Sequence, residues 1–250
     1  MMKKLLILGM LLVSVLGVAQ NEALFEQGKE NYKNAKFSEA VTNWKKILDN
    51  GQQSAELYFN LGNANYKLNN IGPSIYYYEK ALQLDPNDDD IKTNLAFAQN
   101  ARIDVIEPLP KTVFSRWYKN FSGVFTYNGW AIVSVIGVVL FVLLFLLYWF
   151  SISETKKRIC FTISILSAVV CLLALVMAFK TYSDFNKNQP AIIFAENTEV
   201  KSEPNMGSES AFELHEGTKV QIIGRDQDWV RIELADGKDG WMPVNDLKQL

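Results

Sequence analysis

Trp130–Phe150, WAIVSVIGVVLFVLLFLLYWF, and Ile159–Phe179, ICFTISILSAVVCLLALVMAF, decide how the rest of the chain is read, because neither contains a charged residue. Each runs for 21 residues, which as a helix spans the ~30 Å hydrocarbon core of a bilayer. The competing reading, a pair of buried helices in a soluble core, fits poorly: core helices rarely exceed about 18 apolar residues without a charge. In lipid the backbone must bond internally, which selects helix despite the many Val and Ile residues. Tyr127, Trp130, Tyr148, Trp149 and Tyr182 sit at the ends, as an interfacial belt of aromatics requires.

Only Ser151–Arg158 separates the two stretches, so they form a hairpin. Its turn ends in Lys156-Lys157-Arg158, which the positive-inside rule places in the cytoplasm. Both flanks then emerge on the opposite side. Lys111, Arg116, Lys119 and Lys180 oppose this, but are more scattered. The N-terminus supports it. Met1-Met2-Lys3-Lys4 is basic, Leu5–Leu16 is an apolar core, and Gly17-Val18-Ala19 offers the small residues a signal peptidase reads. The expectation is a signal peptide over 1–19, or alternatively an uncleaved signal anchor; either exports the segment after it. The localisation expected is the cytoplasmic (inner) membrane, with two transmembrane helices and both termini periplasmic.

Composition narrows the chemistry. The formal net charge of −2 over 250 residues gives no reason to expect nucleic-acid binding. Cys160 and Cys171, the two cysteines, both lie in the second span, about 16 Å apart along one helix. His215 is the one histidine. That inventory leaves no metal cluster, cofactor site, disulfide framework or catalytic triad to assign in the exported parts. No Gly-rich phosphate loop is present, and no small-molecule substrate is evident. The absence of ionisable residues in the spans argues against ion transport. The chain is read as not an enzyme.

The first exported part repeats. Aligning Asn21 with Ala55, an offset of 34, puts Gly28 on Gly62, Tyr32 on Tyr66, Ala40 on Ser74 and Trp44 on Tyr78. This period resembles the tetratricopeptide repeat, a pair of antiparallel helices per unit. Tyr58, Leu61, Gly62, Ser74, Tyr78, Ala81 and Pro86 match its signature positions in the second unit. Gly28 and Gly62 are expected where helices approach too closely for a side chain, with Tyr58, Tyr78 and Trp44 filling the gap between stacked units. The repeats are placed at 21–54 and 55–88 within 20–107, followed by a helix over 89–102 that is either a third unit or a cap. Three units is the usual minimum for a free-standing array, so this one is expected to lean on something.

The resemblance implies a peptide groove along the first helix of each unit, here Phe25, Glu26, Lys29, Tyr32, Phe59, Asn60, Asn63 and Tyr66. Asn side chains would bond an extended backbone and aromatics would take apolar anchors. A merely solvated face is the competing reading for each residue. Phe25, Asp90 and Asn94 stand where one family subset carries a basic carboxylate clamp, which argues against a C-terminal carboxylate as ligand.

Glu107-Pro108-Leu109-Pro110 ends the helices and opens a linker over 108–129. Within it, Phe114, Trp117, Tyr118 and Phe121 share one helical face, read as an interfacial helix or else a loop. The spans occupy 130–150 and 159–179, with a cytoplasmic turn at 151–158 and a polar stalk at 180–190. The period then changes. Residues 191–250 read as short strands with turns at Pro204-Asn205, Glu216-Gly217, Asp236-Gly237 and Lys238-Asp239-Gly240. With Trp229, Gly240-Trp241 and Pro243, this resembles a bacterial SH3-like barrel. Trp229 and Trp241 line a groove there, or one of them is core; His215 is read as a strand-end surface residue. Residues 191–250 carry six Lys/Arg and twelve Asp/Glu, a net −6, a poor match for anionic wall polymers.

The fold expected is therefore a multidomain membrane protein: an all-α tetratricopeptide-like array, a two-helix transmembrane hairpin and a small all-β SH3-like barrel. In that order the parts resemble the BatE family of the Bacteroides aerotolerance (Bat) operons. The resemblance implies a periplasm-facing adaptor in a Bat-type, aerotolerance or envelope-stress complex, with von Willebrand factor A-type Bat proteins as partners besides the lipid bilayer. The alternative is a peptidoglycan- or envelope-binding sensor acting through the SH3-like domain, although an eight-residue turn is small for a cytoplasmic output. A third reading is an enzyme subunit whose partner supplies the chemistry.

Overall fold

The structure is a computed structural model that describes residues 19–110 and 112–250. All but Ala19 of the signal peptide read from the sequence lies outside the described residues. The described chain forms two compact units: the residues up to Pro108 together with Gln189–Leu250, and Leu109–Asn188.

The first unit opens with helices α1 (residues 19–33), α2 (Phe37–Asp49), α3 (Ala55–Lys67), α4 (Ile71–Leu84) and α5 (Asp89–Asn100). Local chemistry marks their ends. Ser54 Oγ accepts from Leu57 N at 3.1 Å to cap α3, and Asp88 Oδ1 accepts from Asp90 N and Ile91 N to cap α5. Left-handed residues at Ala35 (φ 59°) and Asn69 (φ 61°) stop α1 and α3.

The paired helices touch at two glycines. A Cβ on Gly28 would lie 2.2 Å from Trp44 Nε1, and one on Gly62 would lie 2.6 Å from the Tyr78 ring. Trp44 and Tyr78 are each 1% exposed. They are held by polar tips: Trp44 Nε1 donates to Phe25 O at 3.2 Å, and Tyr78 OH donates to Asn63 Oδ1 at 2.6 Å. This corrects the sequence expectation for the large aromatics. Trp44 and Tyr78 fill the seam inside their own unit, over its glycine; Tyr58 instead stacks on Tyr77, with centroids 6.1 Å apart.

The barrel lies at the other end of the chain. Its strands are β1 (Pro190–Ile193), β2 (Asn197–Lys201), β3 (Ser210–His215), β4 (Lys219–Asp226), β5 (Trp229–Glu233), β6 (Asp239–Pro243) and β7 (Leu247–Gln249). They form one antiparallel sheet in the order β3-β2-β6-β5-β4-β1-β7. Alternation puts Val230, Ile232 and Met242 inside with Val200, Leu214, Val220 and Ile222. The β3–β4 turn passes through Gly217 at φ 83°.

Array and barrel share a polar and apolar seam. Ile192 of β1 belongs to the buried core of the helices. Gly72 N donates to Glu216 Oε2 at 3.0 Å, the Phe194 and Tyr76 rings meet edge to face at 5.4 Å, and Lys219 Nζ pairs with Glu79 Oε1 at 2.8 Å. Gly72, Tyr76 and Glu79 fall at i, i+4 and i+7, one face of α4. A second fastening comes from the segment after α5. Asp104 accepts from His215 N at 2.7 Å, from the His215 ring at Nδ1 at 2.9 Å and from Thr218 Oγ1 at 2.6 Å. His215 does end a strand, but it is half-buried in this seam rather than a surface residue. The short array leans on the barrel.

The second unit contains α6 (Val113–Ser122), α7 (Tyr127–Phe150) and α8 (Glu154–Lys187). Helices α7 and α8 are antiparallel and long and apolar enough to cross a membrane. They meet through small residues: Gly137 faces Cys171, Ser167 Oγ donates to Gly137 O at 2.8 Å, and Ser134 Oγ donates to Cys171 O at 3.2 Å. The larger apolar side chains, such as Leu143, Leu147, Leu166 and Leu172, are exposed. A soluble core would bury them, so the pair is not one. Helix α8 also outruns its apolar stretch. Lys156-Lys157-Arg158 lies in its first turns, leaving Ser151–Ser153 as the turn, and the stretch read as a stalk is helical to Lys187. No Pro or Gly interrupts the chain between Ser153 and Pro190, so charge alone does not end the helix.

Candidate functional site

Residues of α1, α3, α4 and α5 enclose a cavity of about 290 Å³ lined by Tyr32, Asn63, Tyr66, Lys67, Asn94 and Phe97, with Tyr78 beneath. Its floor is a fixed network. Tyr78 OH donates to Asn63 Oδ1 at 2.6 Å, and Asn94 Nδ2 donates to the same oxygen at 2.8 Å. Burial pushes the Tyr78 phenol far above its ordinary pKa, so it remains a donor throughout the physiological range. With Asn63 Oδ1 doubly engaged, the Asn63 amide keeps its donors and Asn94 Oδ1 its acceptor capacity, both on residues that line the cavity. Such a pair matches the C=O and N–H of one extended peptide unit. Tyr66 and Phe97, 36% and 59% exposed, supply apolar contact at the rim, with the Lys67 ammonium beside them.

The eight groove residues read from the sequence are not brought to one place. Tyr32, Asn63 and Tyr66 line this cavity. Phe25 lines a separate, larger one of about 530 Å³ with Glu22, Gln53 and Glu56. Glu26 and Lys29 pair with each other at 2.9 Å, and Lys29 Nζ sits 5.5 Å over the Phe25 ring. Phe59 packs its ring on Tyr78 at 6.0 Å, and Asn60 is half-buried one turn before Asn63. Lys67, Asn94 and Phe97 are the lining residues that sequence reasoning misses. The 34-residue offset carries Asn60 onto Asn94 and Asn63 onto Phe97, so the signal is present in the repeat.

On the barrel, Trp229 and Trp241 are both half-buried on the outer face of the sheet, and neither is core. Trp241 lies opposite Lys201 on β2 and Arg231 on β5. Arg231 Nε donates to Asp239 Oδ2 at 2.7 Å, and Lys201 pairs with Glu199. The cations around Trp241 are therefore already matched by acids. Among the described residues no three His, Cys, Asp or Glu side chains come together as a metal site.

Comparison with known proteins gives the modules. Residues 196–248 match the family described as bacterial SH3 domain, and residues 55–88 match the tetratricopeptide repeat. A curated relative from Bacillus subtilis (strain 168), YrvJ, whose name assigns it to the N-acetylmuramoyl-L-alanine amidases, is 31% identical over 75 residues; these are 30% of this chain and 14% of that protein. A crystal structure of an NlpC/P60 family protein from Bacillus cereus ATCC 10987 aligns at 17% identity over 28% of this chain and 23% of its own, with a TM-score of 0.22. The chain thus spans only a small part of either relative. Neither matched module is a catalytic type; the chain carries a tetratricopeptide repeat and a bacterial SH3 domain, with two helices long and apolar enough to cross a membrane between them in sequence.

Proposed function

We propose that this protein is a membrane-anchored adaptor, not itself an enzyme, whose exported lobes dock other proteins through the tetratricopeptide groove. The observation that carries this reading is the bonded amide pair of Asn63 and Asn94 lining one cavity with exposed Tyr66 and Phe97, a surface suited to an extended peptide. The hairpin holds the adaptor in the inner membrane with both flanks outside, as Lys156-Lys157-Arg158 at the start of α8 favours. The order of parts resembles the BatE family, which makes von Willebrand factor A-type Bat proteins the partners to test first. Tyr66→Ala combined with Phe97→Ala should abolish capture of such a partner by the detergent-solubilised chain. Both side chains are rim-exposed, so the thermal midpoint should move little. Asn63→Ala is a poorer probe, because it strands the buried Tyr78 hydroxyl. Capture at wild-type level by the double variant would remove the groove as the docking surface.

A second reading has one observation behind it. The SH3 module and the similarity to YrvJ favour binding to peptidoglycan, with the chain as an envelope sensor. The net −6 of residues 191–250 opposes it. The solubilised chain is expected not to sediment with purified peptidoglycan at about 0.15 M salt, where the Debye length is ~8 Å. Clear co-sedimentation that disappears with Trp229→Ala or Trp241→Ala would instead favour the sensor.

A further inference from the structure

Helix α6 presents an aromatic ladder. Phe114 and Trp117 have centroids 6.2 Å apart, Trp117 and Phe121 stack at 5.9 Å, and Phe121 meets Trp130, in the first turn of α7, at 5.4 Å. Phe114, Trp117 and Phe121 are 72%, 63% and 46% exposed, with Val113 beside them at 75%. The adjoining edge is what holds the helix: Tyr118 OH donates to Asp184 Oδ2 of α8 at 2.8 Å, and Lys180 Nζ lies 4.3 Å over the Tyr118 ring. Trp130 Nε1 donates to Ser122 O at 3.1 Å, fixing the corner between α6 and α7. Val113–Tyr127 contains Arg116 and Lys119 but no Asp or Glu.

An apolar face of this size on a short helix needs a cover. The ladder joins α7 at Trp130, and from its second turn α7 exposes apolar side chains, among them Ile132, Val135 and Ile136. One lipid cover suits both helices. Cations on the polar side and Trp and Phe on the other is the pattern that suits a lipid headgroup boundary. We propose that α6 is a lipid-binding helix lying in one leaflet of the membrane crossed by α7 and α8. Its Phe114–Trp117–Phe121 face sits among the acyl chains just below the headgroups, and Arg116 and Lys119 stand at lipid phosphates. The Tyr118–Asp184–Lys180 cluster fixes the roll of the helix so that this face meets lipid. The proposal rests on the reading of α7 and α8 as membrane spans.

The test uses the full chain with Cys160→Ala and Cys171→Ala, carrying one nitroxide-labelled cysteine at a time, in nanodiscs of phosphatidylethanolamine and phosphatidylglycerol. Collision with oxygen, which concentrates in lipid, is compared with collision with a water-soluble nickel chelate. Labels at Phe114→Cys and Phe121→Cys should favour oxygen, and labels at Ser115→Cys and Lys119→Cys should favour nickel, alternating with the helical period. Nickel access at Phe114→Cys equal to that at Ser115→Cys would overturn the proposal. So would protection from both reagents, which would mean a protein surface covers the ladder. A label at Leu172→Cys on α8 keeps the two readings apart: oxygen access there with nickel access at Phe114 sinks the helix proposal alone, whereas nickel access at Leu172 sinks the membrane spans and this proposal with them.

Discussion

Gly62→Leu should unfold the tetratricopeptide array. The new side chain would start 2.6 Å from the Tyr78 ring. That ring cannot yield, being 1% exposed and tied by its hydroxyl to Asn63. Overpacking alone costs about 1–3 kcal/mol. Here α3 and α4 must also separate, which removes the buried Tyr78 contacts; losing a large buried aromatic costs about 3–5 kcal/mol by itself. The expected loss exceeds about 3 kcal/mol, a large fraction of the stability of a small domain. Amide hydrogen exchange over 55–84 in the full chain reads this directly, undisturbed by the membrane helices. Ala96→Leu, on the exposed face of α5, should leave the same amides protected. Wild-type protection in Gly62→Leu would mean the seam tolerates a side chain and that the glycine is there for another reason.

The seam is legible in the sequence because both of its partners recur at a fixed offset. A glycine with a large aromatic 16 residues later occurs at Gly28–Trp44 and again at Gly62–Tyr78. Periodicity says that such a side chain is buried, not which neighbour buries it, and so it misassigns those aromatics to the gap between units. The groove is partly legible for the same reason. Tyr32 and Tyr66 stand at repeating positions and can be read, whereas on the irregular fifth helix Asn94 is read only as a missing clamp residue and Phe97 is passed over, although the offset points to both. Helix ends in the hairpin are misplaced because hydropathy marks where lipid stops, while the backbone remains helical until a proline or a cap intervenes.

The array–barrel seam leaves almost no trace in the sequence. Its contacts join residues 111 to 144 positions apart, and no local period encodes such a pairing. One local anomaly exists: Gly72 is the second residue of α4, where a helix gains nothing from glycine. The structure supplies the reason, since a Cβ there would lie 2.8 Å from Ile193 O. The same seam accounts for an array this short being stable. Ile192 and the Phe194 ring cover the Tyr76 side of α4, so the array has apolar cover beyond its own repeats.

Asp104→Ala should undo that seam, the second large effect. One carboxylate takes three donors, all from two residues withdrawn from water: Thr218 is 1% exposed and His215 is half-buried. Removing the acceptor strands the Thr218 hydroxyl and the His215 amide, at about 1–3 kcal/mol for each buried unsatisfied group. A loss of about 3 kcal/mol in the coupling of barrel to array is expected, read as faster hydrogen exchange in 71–79 and 215–220 together and as new proteolytic cleavage within 101–108. Acid should mimic the substitution. Desolvation raises the Asp104 pKa, but the Thr218 hydroxyl, the His215 amide and the His215 ring outweigh it and hold the carboxyl below its ordinary value. The folded pKa is thus depressed, so this contribution is complete above the unfolded carboxylate value and is lost as pH falls through the lower, folded one. The difference between wild type and Asp104→Ala should therefore shrink as pH falls below the ordinary carboxylate range. Gly72→Ala attacks the other end of the same seam. If the two ends form one cooperative contact, Gly72→Ala and Asp104→Ala will cost less together than the sum of their separate costs, because either alone already releases the barrel. Strict additivity, or exchange in 71–79 unchanged by Asp104→Ala, would show that array and barrel are stable apart and that the contact is incidental to both.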